Sequence, residues 1–231
     1  TGSAVIAVPS LEPDILYISS GTWSLMGTEN DSSDCTEECR AANFTNEGGY
    51  LYRYRFLKNI MGLWMIQSVK KELHDRFSFD DLCEAASKSA IASIVDCNDS
   101  RFLKPESMMK AVVDACRESG QDVPQNPGDV TAVIYNSLAR CYAETAAQLE
   151  ELTGKKFAAV NIVGGGSGDP YLNRLTAIYS GRDVLAGPKE ATAIGNLTVQ
   201  FIALGELENL AAARECIANS FDIKKYSLKE N

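Results

Sequence analysis

The stretch Ser19-Ser20-Gly21-Thr22 interrupts an otherwise apolar run with three hydroxyl side chains and a glycine. Successive backbone N–H groups in a glycine turn form a concave nest that binds anions, and hydroxyls add further donors to a phosphate. Glycine and serine are also ordinary turn residues, and for this stretch taken alone a tight hairpin turn is the favoured interpretation. Both interpretations stay open until a second feature is considered.

A second glycine-rich stretch, Gly164-Gly165-Gly166-Ser167, follows the short apolar segment 157–163. Consecutive glycines permit positive φ and remove every Cβ from one surface of the backbone. The stretch therefore favours either a loop that needs those torsions or a bare surface on which a flat ligand such as adenosine lies. It matches neither the G-x-G-x-x-G dinucleotide pattern nor the G-x-x-x-x-G-K-[ST] phosphate loop. Two such loops in one chain favour nucleotide binding more than either loop alone.

The other reactive side chains give little support for different chemistry. His74 is the only histidine of the sequence, and its place after a lysine-rich helix end is typical of a solvated or capping residue. A Ser-His-Asp hydrolase is therefore unsupported. Cys35 and Cys39 have no second pair at zinc-site spacing, so we predict no metal site. The seven cysteines are typical of reduced thiols, and whether Cys35 and Cys39 ever pair is left open.

Composition narrows the class of partner. The formal net charge is −9 and basic residues do not cluster, which argues against nucleic acid binding. No run approaches the roughly 20 apolar residues that cross a membrane, and no basic leader precedes the first apolar stretch, so we expect a cytoplasmic protein. Without a clear linker or repeat, residues 1–231 are predicted to form one domain. Because the sequence begins with Thr1, we expect a cut or processed fragment.

These candidate residues must be positioned by a sheet with helices around it. Strands are predicted at 3–9, 15–26 and 47–55, the last with Tyr50, Tyr52 and Tyr54 on one face. Helices are predicted at 56–73, 78–90, 105–120 and 130–152, the last capped by Asp129 or Thr131. Gly62 would cost the first of these helices about 1 kcal/mol relative to alanine, so it predicts close packing or close ligand approach.

The last third of the sequence changes to alternating strands and helices. The segments 157–163, 169–181, 183–187 and 188–207 read as strand, helix, strand and helix, which is typical of parallel strands joined by crossovers. The predicted fold class is therefore α/β, with a mixed sheet and helices on both of its faces.

Six segments, spread over nearly the whole chain, carry a family resemblance. They are YISSGTWSLMGTE (17–29), NFTNEGG (43–49), YRFLKNIMGLW (54–64), NDSRFLKPESM (98–108), NIVGGGS (161–167) and AGPKEATAIGN (186–196). Together they resemble the C-terminal domain of the FGGY carbohydrate kinases, which have the ribonuclease H-like fold of the actin-like ATPases. VGGGS alone indicates only the wider family, whereas LKNIMGLW with SSGTWSLMG resembles the branch that acts on L-rhamnulose.

The resemblance implies a ligand set and a role for particular residues. ATP and Mg²⁺ would be the cofactors, and L-rhamnulose the sugar that is phosphorylated at O1. By similarity, the ATP-binding residues are Gly21, Thr22, Gln67, Gly164, Gly165 and Gly166. The sugar-binding residues are, by the same similarity, Thr1 and Asn59.

The resemblance also implies that the catalytic carboxylate of the family lies immediately before Thr1. The chain would then contain no catalytic residue, would lack the N-terminal kinase domain, and would not turn over sugar by itself. Three alternatives remain open. The chain could instead come from a related kinase for L-fuculose or a ketopentose, or from a non-catalytic actin-like nucleotide-binding protein. In the third alternative it is a fragment that folds only against its other half.

Overall fold

A seven-stranded mixed sheet runs through the middle of the protein, whose structure, a computed structural model, describes residues 2–227. In chain order the strands are β1 (Leu16–Ser20), β2 (Ser24–Asn30), β3 (Thr45–Gly48), β4 (Tyr54–Ile60), β5 (Ala159–Val163), β6 (Asp183–Ala186) and β7 (Lys224–Tyr226). Their order across the sheet is β3-β4-β2-β1-β5-β6-β7. β5 pairs in parallel with both β1 and β6, and the other neighbouring strands pair antiparallel.

Helices connect these strands and cover the sheet. In the described part of the chain they are α1 (Gly2–Ile6), α2 (Glu37–Ala41), α3 (Trp64–Glu72), α4 (Phe79–Ser87), α5 (Met108–Glu118), α6 (Pro127–Thr153), α7 (Pro170–Ser180), α8 (Ala191–Ala203) and α9 (Leu210–Ser220). Short 3₁₀ turns lie at Tyr50–Tyr52, Ser100–Phe102 and Gly165–Gly168. No helix among residues 2–227 is long and apolar enough to cross a membrane.

The alternation of side chains along β1 divides the core into two layers. Leu16 and Ile18 lie in the larger core, together with Tyr135 and Leu138 of α6. Tyr17 points to the opposite face and packs with α1, α8 and α9 in a smaller core. Helices therefore cover both faces of a mixed sheet, and the predicted fold class is confirmed.

The predicted strand at 3–9 is wrong, because this segment begins with helix α1. Its residues Ala4 to Val8 are all buried, so no alternation distinguished a strand from a buried helix. The helix packs closely on α8, where a Cβ at Gly195 would lie 1.8 Å from the carbonyl oxygen of Ser3. The sequence gives no sign of this close approach between two segments that are almost 200 residues apart.

The predicted helix at 56–73 contains two elements. Residues 54–60 form β4, which pairs with both β2 and β3, and the helix α3 begins only at Trp64. The apolar spacing of Phe56 and Ile60 fits one face of a strand as well as one face of a helix, so the periodicity was ambiguous. Gly62 lies at the junction between the two elements, where its φ is +64°. Of the two predictions made for this residue, close packing and close ligand approach, the structure shows close packing.

The tyrosines predicted to share a strand face do not do so. Residues 50–52 form a 3₁₀ turn between β3 and β4, with positive φ at Leu51 and Tyr52. The turn rotates these side chains out of any common strand, and Tyr52 is 98% exposed.

Several boundaries also differ from the predicted ones. The predicted strand 15–26 is the β1–β2 hairpin, and α6 begins at Pro127, where the Asn126 side chain caps it instead of Asp129 or Thr131. α5 begins after the Ser107 cap and α8 after Glu190, each three residues later than predicted. The helices α2 and α9 and the edge strand β7 were not predicted.

Candidate functional site

The stretch Ser19–Thr22 ends β1 and enters a tight hairpin turn. The N–H of Gly21 donates a hydrogen bond to the Trp23 carbonyl at 2.9 Å, and β2 begins at Ser24. Below the turn, the Ser24 hydroxyl lies 2.6 Å from the Tyr142 hydroxyl of α6, which anchors the hairpin to the core. The hairpin prediction is thus confirmed, and Thr22 remains exposed at its tip.

The start of α3 docks directly on this turn. The N–H groups of Leu63 and Trp64 donate to the carbonyls of Gly21 and Thr22 at 3.2 and 2.9 Å. Gly62 makes this contact possible, because a Cβ there would lie 2.6 Å from the Ser24 nitrogen. The docking brings Gln67, one turn into the helix, next to the tip of the hairpin.

Thr22 and Gln67, separated by 45 residues in sequence, are joined by a side-chain hydrogen bond. The Thr22 hydroxyl donates to Oε1 of Gln67 at 3.3 Å. The bond lies at an exposed position, so both side chains are accessible to a ligand. Their polar groups offer neutral donors and acceptors at this end of the site.

The three consecutive glycines after β5 have different environments. A Cβ at Gly166 would lie 1.9 Å from Oγ of Ser20, and one at Gly164, where φ is +89°, would lie 2.8 Å from the Ser20 carbonyl oxygen. Both glycines are therefore required for packing against the end of β1. Gly165 has no atom within 4 Å of an added Cβ and is exposed, so it is the one that leaves open space.

One cavity of about 290 Å³ brings most of the predicted ATP-binding residues together. Those that line it are Gly21, Gln67, Gly165 and Gly166. Thr22 lies at the rim of the cavity, where its side chain is hydrogen-bonded to Gln67. Gly164 does not line the cavity and packs against Ser20. Its apolar wall consists of Leu63, Ile66 and Phe79. A flat ring can lie between this wall and the bare glycine backbone.

The polar end of the cavity contains residues that were not predicted from the sequence. Asp169 caps α7 by accepting from the Leu172 N–H at 3.0 Å, and it also accepts a hydrogen bond from the Tyr135 hydroxyl. Burial is the main cause that raises the pKa of Tyr135, and the nearby Asp169 charge adds to it. The Tyr135 hydroxyl therefore keeps its proton. The Asp-Pro pair before α7 indicated a helix cap, but nothing in the sequence indicated that its carboxylate faces a cavity.

Cys83 and Lys189 complete this wall. The Cys83 thiol lies 3.7 Å from Oδ1 of Asp169, and burial together with that carboxylate raises its pKa to about 11, so the thiol is neutral. The Lys189 side chain extends over Gly168, whose added Cβ would lie 2.8 Å from Nζ. The loop of Lys189 is fixed beside the glycines by a hydrogen bond from the Gly164 N–H to the Pro188 carbonyl at 3.0 Å. Lys189 supplies a positive charge at the mouth of the cavity.

Asn59, predicted to bind sugar, lies outside this cavity. It is exposed on β4, opposite Leu25 of β2, and borders a separate cavity of about 900 Å³ that Trp23 and Lys58 also line. Thr1, the other predicted sugar-binding residue, lies outside the described residues. Within residues 2–227, no group of three or more His, Cys, Asp or Glu side chains is arranged to hold a metal ion.

The sequence matches a family of known proteins over most of its length. A model of the C-terminal domain of the FGGY family of carbohydrate kinases matches residues 16–204. Rhamnulokinase of Halalkalibacterium halodurans is 49% identical over 226 residues, which cover 98% of this chain and 48% of that protein. Rhamnulokinase of Bacillus subtilis is 44% identical over 231 residues, 100% of this chain and 48% of that protein. The chain thus spans about half the length of these curated relatives.

Solved structures of sugar kinases share the fold. Gluconate kinase from Lactobacillus acidophilus superposes with a TM-score of 0.69 at 16% identity, covering 97% of this chain and 45% of that one. Ligand-bound xylulose kinase from the same organism gives 0.68 at 14% identity, with the same coverage. Glycerol kinase of Plasmodium falciparum with ADP gives 0.65 at 12% identity, covering 98% of this chain and 46% of that one. At these identities the likeness concerns the fold alone.

Proposed function

Because the chain belongs to the FGGY family of carbohydrate kinases, we propose that it is the C-terminal, nucleotide-binding domain of an ATP-dependent kinase that phosphorylates L-rhamnulose at O1. The observation that carries the nucleotide half of this proposal is the convergence of the hairpin turn, α3 and the glycine loop on one cavity. The sugar half rests on the name shared by relatives that are 44% and 49% identical over nearly the whole chain. The parent protein would be a cytoplasmic enzyme of rhamnose breakdown.

The proposed nucleotide contacts follow from the geometry of the cavity. The adenosine part would lie between the apolar wall and Gly165, where an added Cβ meets open space. Thr22 would contact the phosphates with its neutral hydroxyl, assisted by Gly21 beside it, and Gln67 would add a further contact next to Thr22. Gly164 and Gly166 would act indirectly, since each holds the loop against Ser20.

Mg²⁺ fits this proposal as an ion carried by the phosphates of ATP. Such ions keep most of their water and bind through few protein ligands, so a preformed cluster of carboxylates is not required. The ion would neutralise charge on the transferred phosphoryl group. The residues of this chain would bind and orient the nucleotide, because phosphoryl transfer depends mainly on positioning and electrostatics.

The proposed sugar contacts are divided between this chain and an N-terminal kinase domain, and the catalytic base lies outside this chain. On this chain, Asn59 would offer both a donor and an acceptor to a polyol, and Thr1 would be the second sugar-binding residue. The base that takes the proton of the sugar hydroxyl would be a carboxylate immediately before Thr1, and the remaining contacts would come from an N-terminal kinase domain. This division of labour fits a chain that spans about half of its relatives.

The proposal is tested on the natural polypeptide that carries this chain, expressed at full length with Mg²⁺. We expect ADP release with L-rhamnulose, and at least tenfold lower kcat/KM with L-fuculose and with ketopentoses. Replacing Gly165→Val should raise the KM for ATP at least tenfold without changing the KM for the sugar, because the new side chain occupies the space proposed for adenosine.

Gly48→Val is the matched control, since an added Cβ there also meets nothing within 4 Å and the residue lies on the edge strand β3. It should leave both KM values unchanged. Equal KM values for ATP in Gly165→Val and wild type would reject the nucleotide site. A preference for another sugar would keep the nucleotide site and reject the proposed substrate. Release of ADP without any dependence on sugar would support an actin-like ATPase instead, and binding of ATP without any ADP release would support a non-catalytic nucleotide-binding protein.

A further inference from the structure

An apolar stripe runs along the exposed face of α8 and reaches the residue that follows this helix. Leu197, Phe201 and Leu204 are 54%, 47% and 75% exposed. Positions i, i+4 and i+7 fall on one face of a helix, so these three side chains point the same way. The other face of α8 carries Ala191 and Gly195 and is buried. The three exposed side chains thus form an apolar face that the described part of the chain leaves open to solvent.

The exposed side of α8 also lacks charge. Not one residue of Ala191–Ala203 is Asp, Glu, Lys or Arg. In α5, by contrast, the exposed positions include Lys110, Arg117 and Glu118. Depletion of charged residues together with large apolar and aromatic side chains is typical of the centre of a protein–protein interface. The stripe therefore has the composition of a surface that another protein surface covers.

The same composition argues against other kinds of occupant. A helix that lies on a membrane surface carries Lys and Arg on its polar face, and nucleic acid also requires basic residues. The exposed polar residues of α8 are instead the uncharged Thr192, Asn196 and Gln200. Apolar anchors at this spacing are the ones with which a helix docks on another apolar protein surface.

The start of the described chain lies against α8. Helix α1 begins at Gly2 and approaches α8 so closely that a Cβ at Gly195 would lie 1.8 Å from the Ser3 carbonyl oxygen. Leu197 follows Gly195 by two residues, which is about 3 Å along the helix axis. Polypeptide that precedes α1 would therefore enter the protein beside the stripe.

We propose that Leu197, Phe201 and Leu204 dock on an apolar surface of the N-terminal kinase domain, an inference that rests on the proposed function. The chain spans about half the length of its curated relatives and matches the model of a C-terminal domain, so those relatives have room for a further domain. A domain tethered beside α8 has a high effective concentration at the stripe, roughly millimolar for a short linker. A second copy of the chain has no such advantage.

This contact would also fix the orientation of the proposed nucleotide site. Lys189 lines the cavity proposed for ATP, and α8 begins two residues later. A rigid contact at α8 would hold this wall of the cavity at a set distance from the sugar contacts of the other domain. In-line phosphoryl transfer depends on such positioning.

Photo-crosslinking in the full-length polypeptide tests the contact without nucleotide or sugar, so its outcome is independent of the kinase assay. After irradiation, Phe201→p-benzoylphenylalanine should give cross-linked peptides that join this position to the segment preceding Thr1. In an equal mixture of unlabelled and heavy-isotope-labelled protein, both peptides of each cross-link should carry the same label, as expected within one copy.

Ile178→p-benzoylphenylalanine is the matched control. Ile178 is 52% exposed on α7, whose buried residues Leu172 and Ala177 belong to the larger core on the opposite face of the sheet. It should give no cross-link to the segment preceding Thr1.

Thermal unfolding of the full-length polypeptide gives a second measurement. Phe201→Ser should lower the Tm by at least about 3 °C, because it removes a side chain that the proposed contact buries, whereas Ile178→Ser should change it by less than about 1 °C. Cross-links that mix the two labels would assign the stripe to a contact between copies and overturn the proposal. Equal cross-linking from both positions, no cross-link from Phe201, or equal changes in Tm would overturn it as well.

Discussion

At the scale of single residues, three adjacent glycines divide two tasks between them. Gly164 and Gly166 give up their side chains so that the loop can pack against Ser20, whereas Gly165 keeps open space in front of it. The motif is therefore part structural and part functional. A substitution at Gly164 or Gly166 should affect folding, and a substitution at Gly165 should affect ligand binding.

We predict that Gly166→Ala lowers the free energy of unfolding by about 2–3 kcal/mol, because the new Cβ would lie 1.9 Å from Oγ of Ser20 and the strand end must move. Gly165→Ala is the matched control and should change stability by less than about 0.5 kcal/mol. Urea unfolding measures both.

The double variant Ser20→Gly/Gly166→Ala tests the cause. It removes the atoms with which the new Cβ collides, so it should recover more stability than independent effects would allow. Strict additivity of the two substitutions would show that the loss has another origin.

At the scale of elements, Glu150 connects the end of α6 to the starts of β5, which leads into the glycine loop, and of β6. Its carboxylate accepts from the Phe157 N–H at 3.2 Å and pairs with Arg182 at 2.7 Å and Lys156 at 2.9 Å. Phe157 precedes β5 and Arg182 precedes β6, so one side chain fixes two strand entries. Burial opposes its ionisation, but the hydrogen bonds from Arg182, Lys156 and Phe157 outweigh burial and lower the pKa of Glu150 to about 2.

This shift predicts a pH dependence of stability. The folded pKa of about 2 lies below the ordinary value of 4.5, so the unfolded chain binds more protons between these values. The contribution of Glu150 is therefore complete above pH 4.5 and is lost as the pH falls toward 2. Glu150→Gln should lower stability at pH 7 by about 2 kcal/mol, and the difference from wild type should shrink steadily below pH 4.5.

Urea unfolding at a series of pH values measures this difference. Glu144→Gln is the control, since Glu144 forms an exposed pair with Arg140 one turn earlier on the same helix, and such pairs contribute little. A Glu150→Gln difference that does not depend on pH would argue against the proposed linkage.

At the scale of the whole molecule, this chain supplies the proposed nucleotide site but only part of the proposed active site. The cavity is formed by the hairpin, α3, α4, α6 and the glycine loop, all on this chain, while the proposed base and most sugar contacts are not. Half a cleft can bind a nucleotide but cannot align it with a sugar for in-line transfer.

We therefore expect the 231-residue chain by itself to bind ATP–Mg²⁺ weakly and to release no ADP above a buffer blank when L-rhamnulose is added. Calorimetry measures the binding, and a coupled ADP assay measures the turnover. The full-length polypeptide serves as the positive control in both. Sugar-dependent ADP release by the 231-residue chain would contradict the division of roles between the two halves.

The sequence by itself determined the fold class, the capped helix α4, the strand–helix alternation of the last third, and the two glycine-bearing loops. These features leave local signals in the sequence, such as the Ser78 capping box and the short apolar run before the glycines. The motifs also carried the family resemblance, which the match over residues 16–204 supports.

The tertiary structure alone decided what those motifs contact. Whether residues 2–6 and 56–60 form helix or strand depended on packing against Gly195 and on pairing with β2, because buried apolar segments show no diagnostic period. The same holds for the cavity residues Asp169 and Tyr135, whose side chains are joined by a hydrogen bond. Each of these contacts joins residues distant in sequence, and local patterning carries no information about such contacts until the chain is folded.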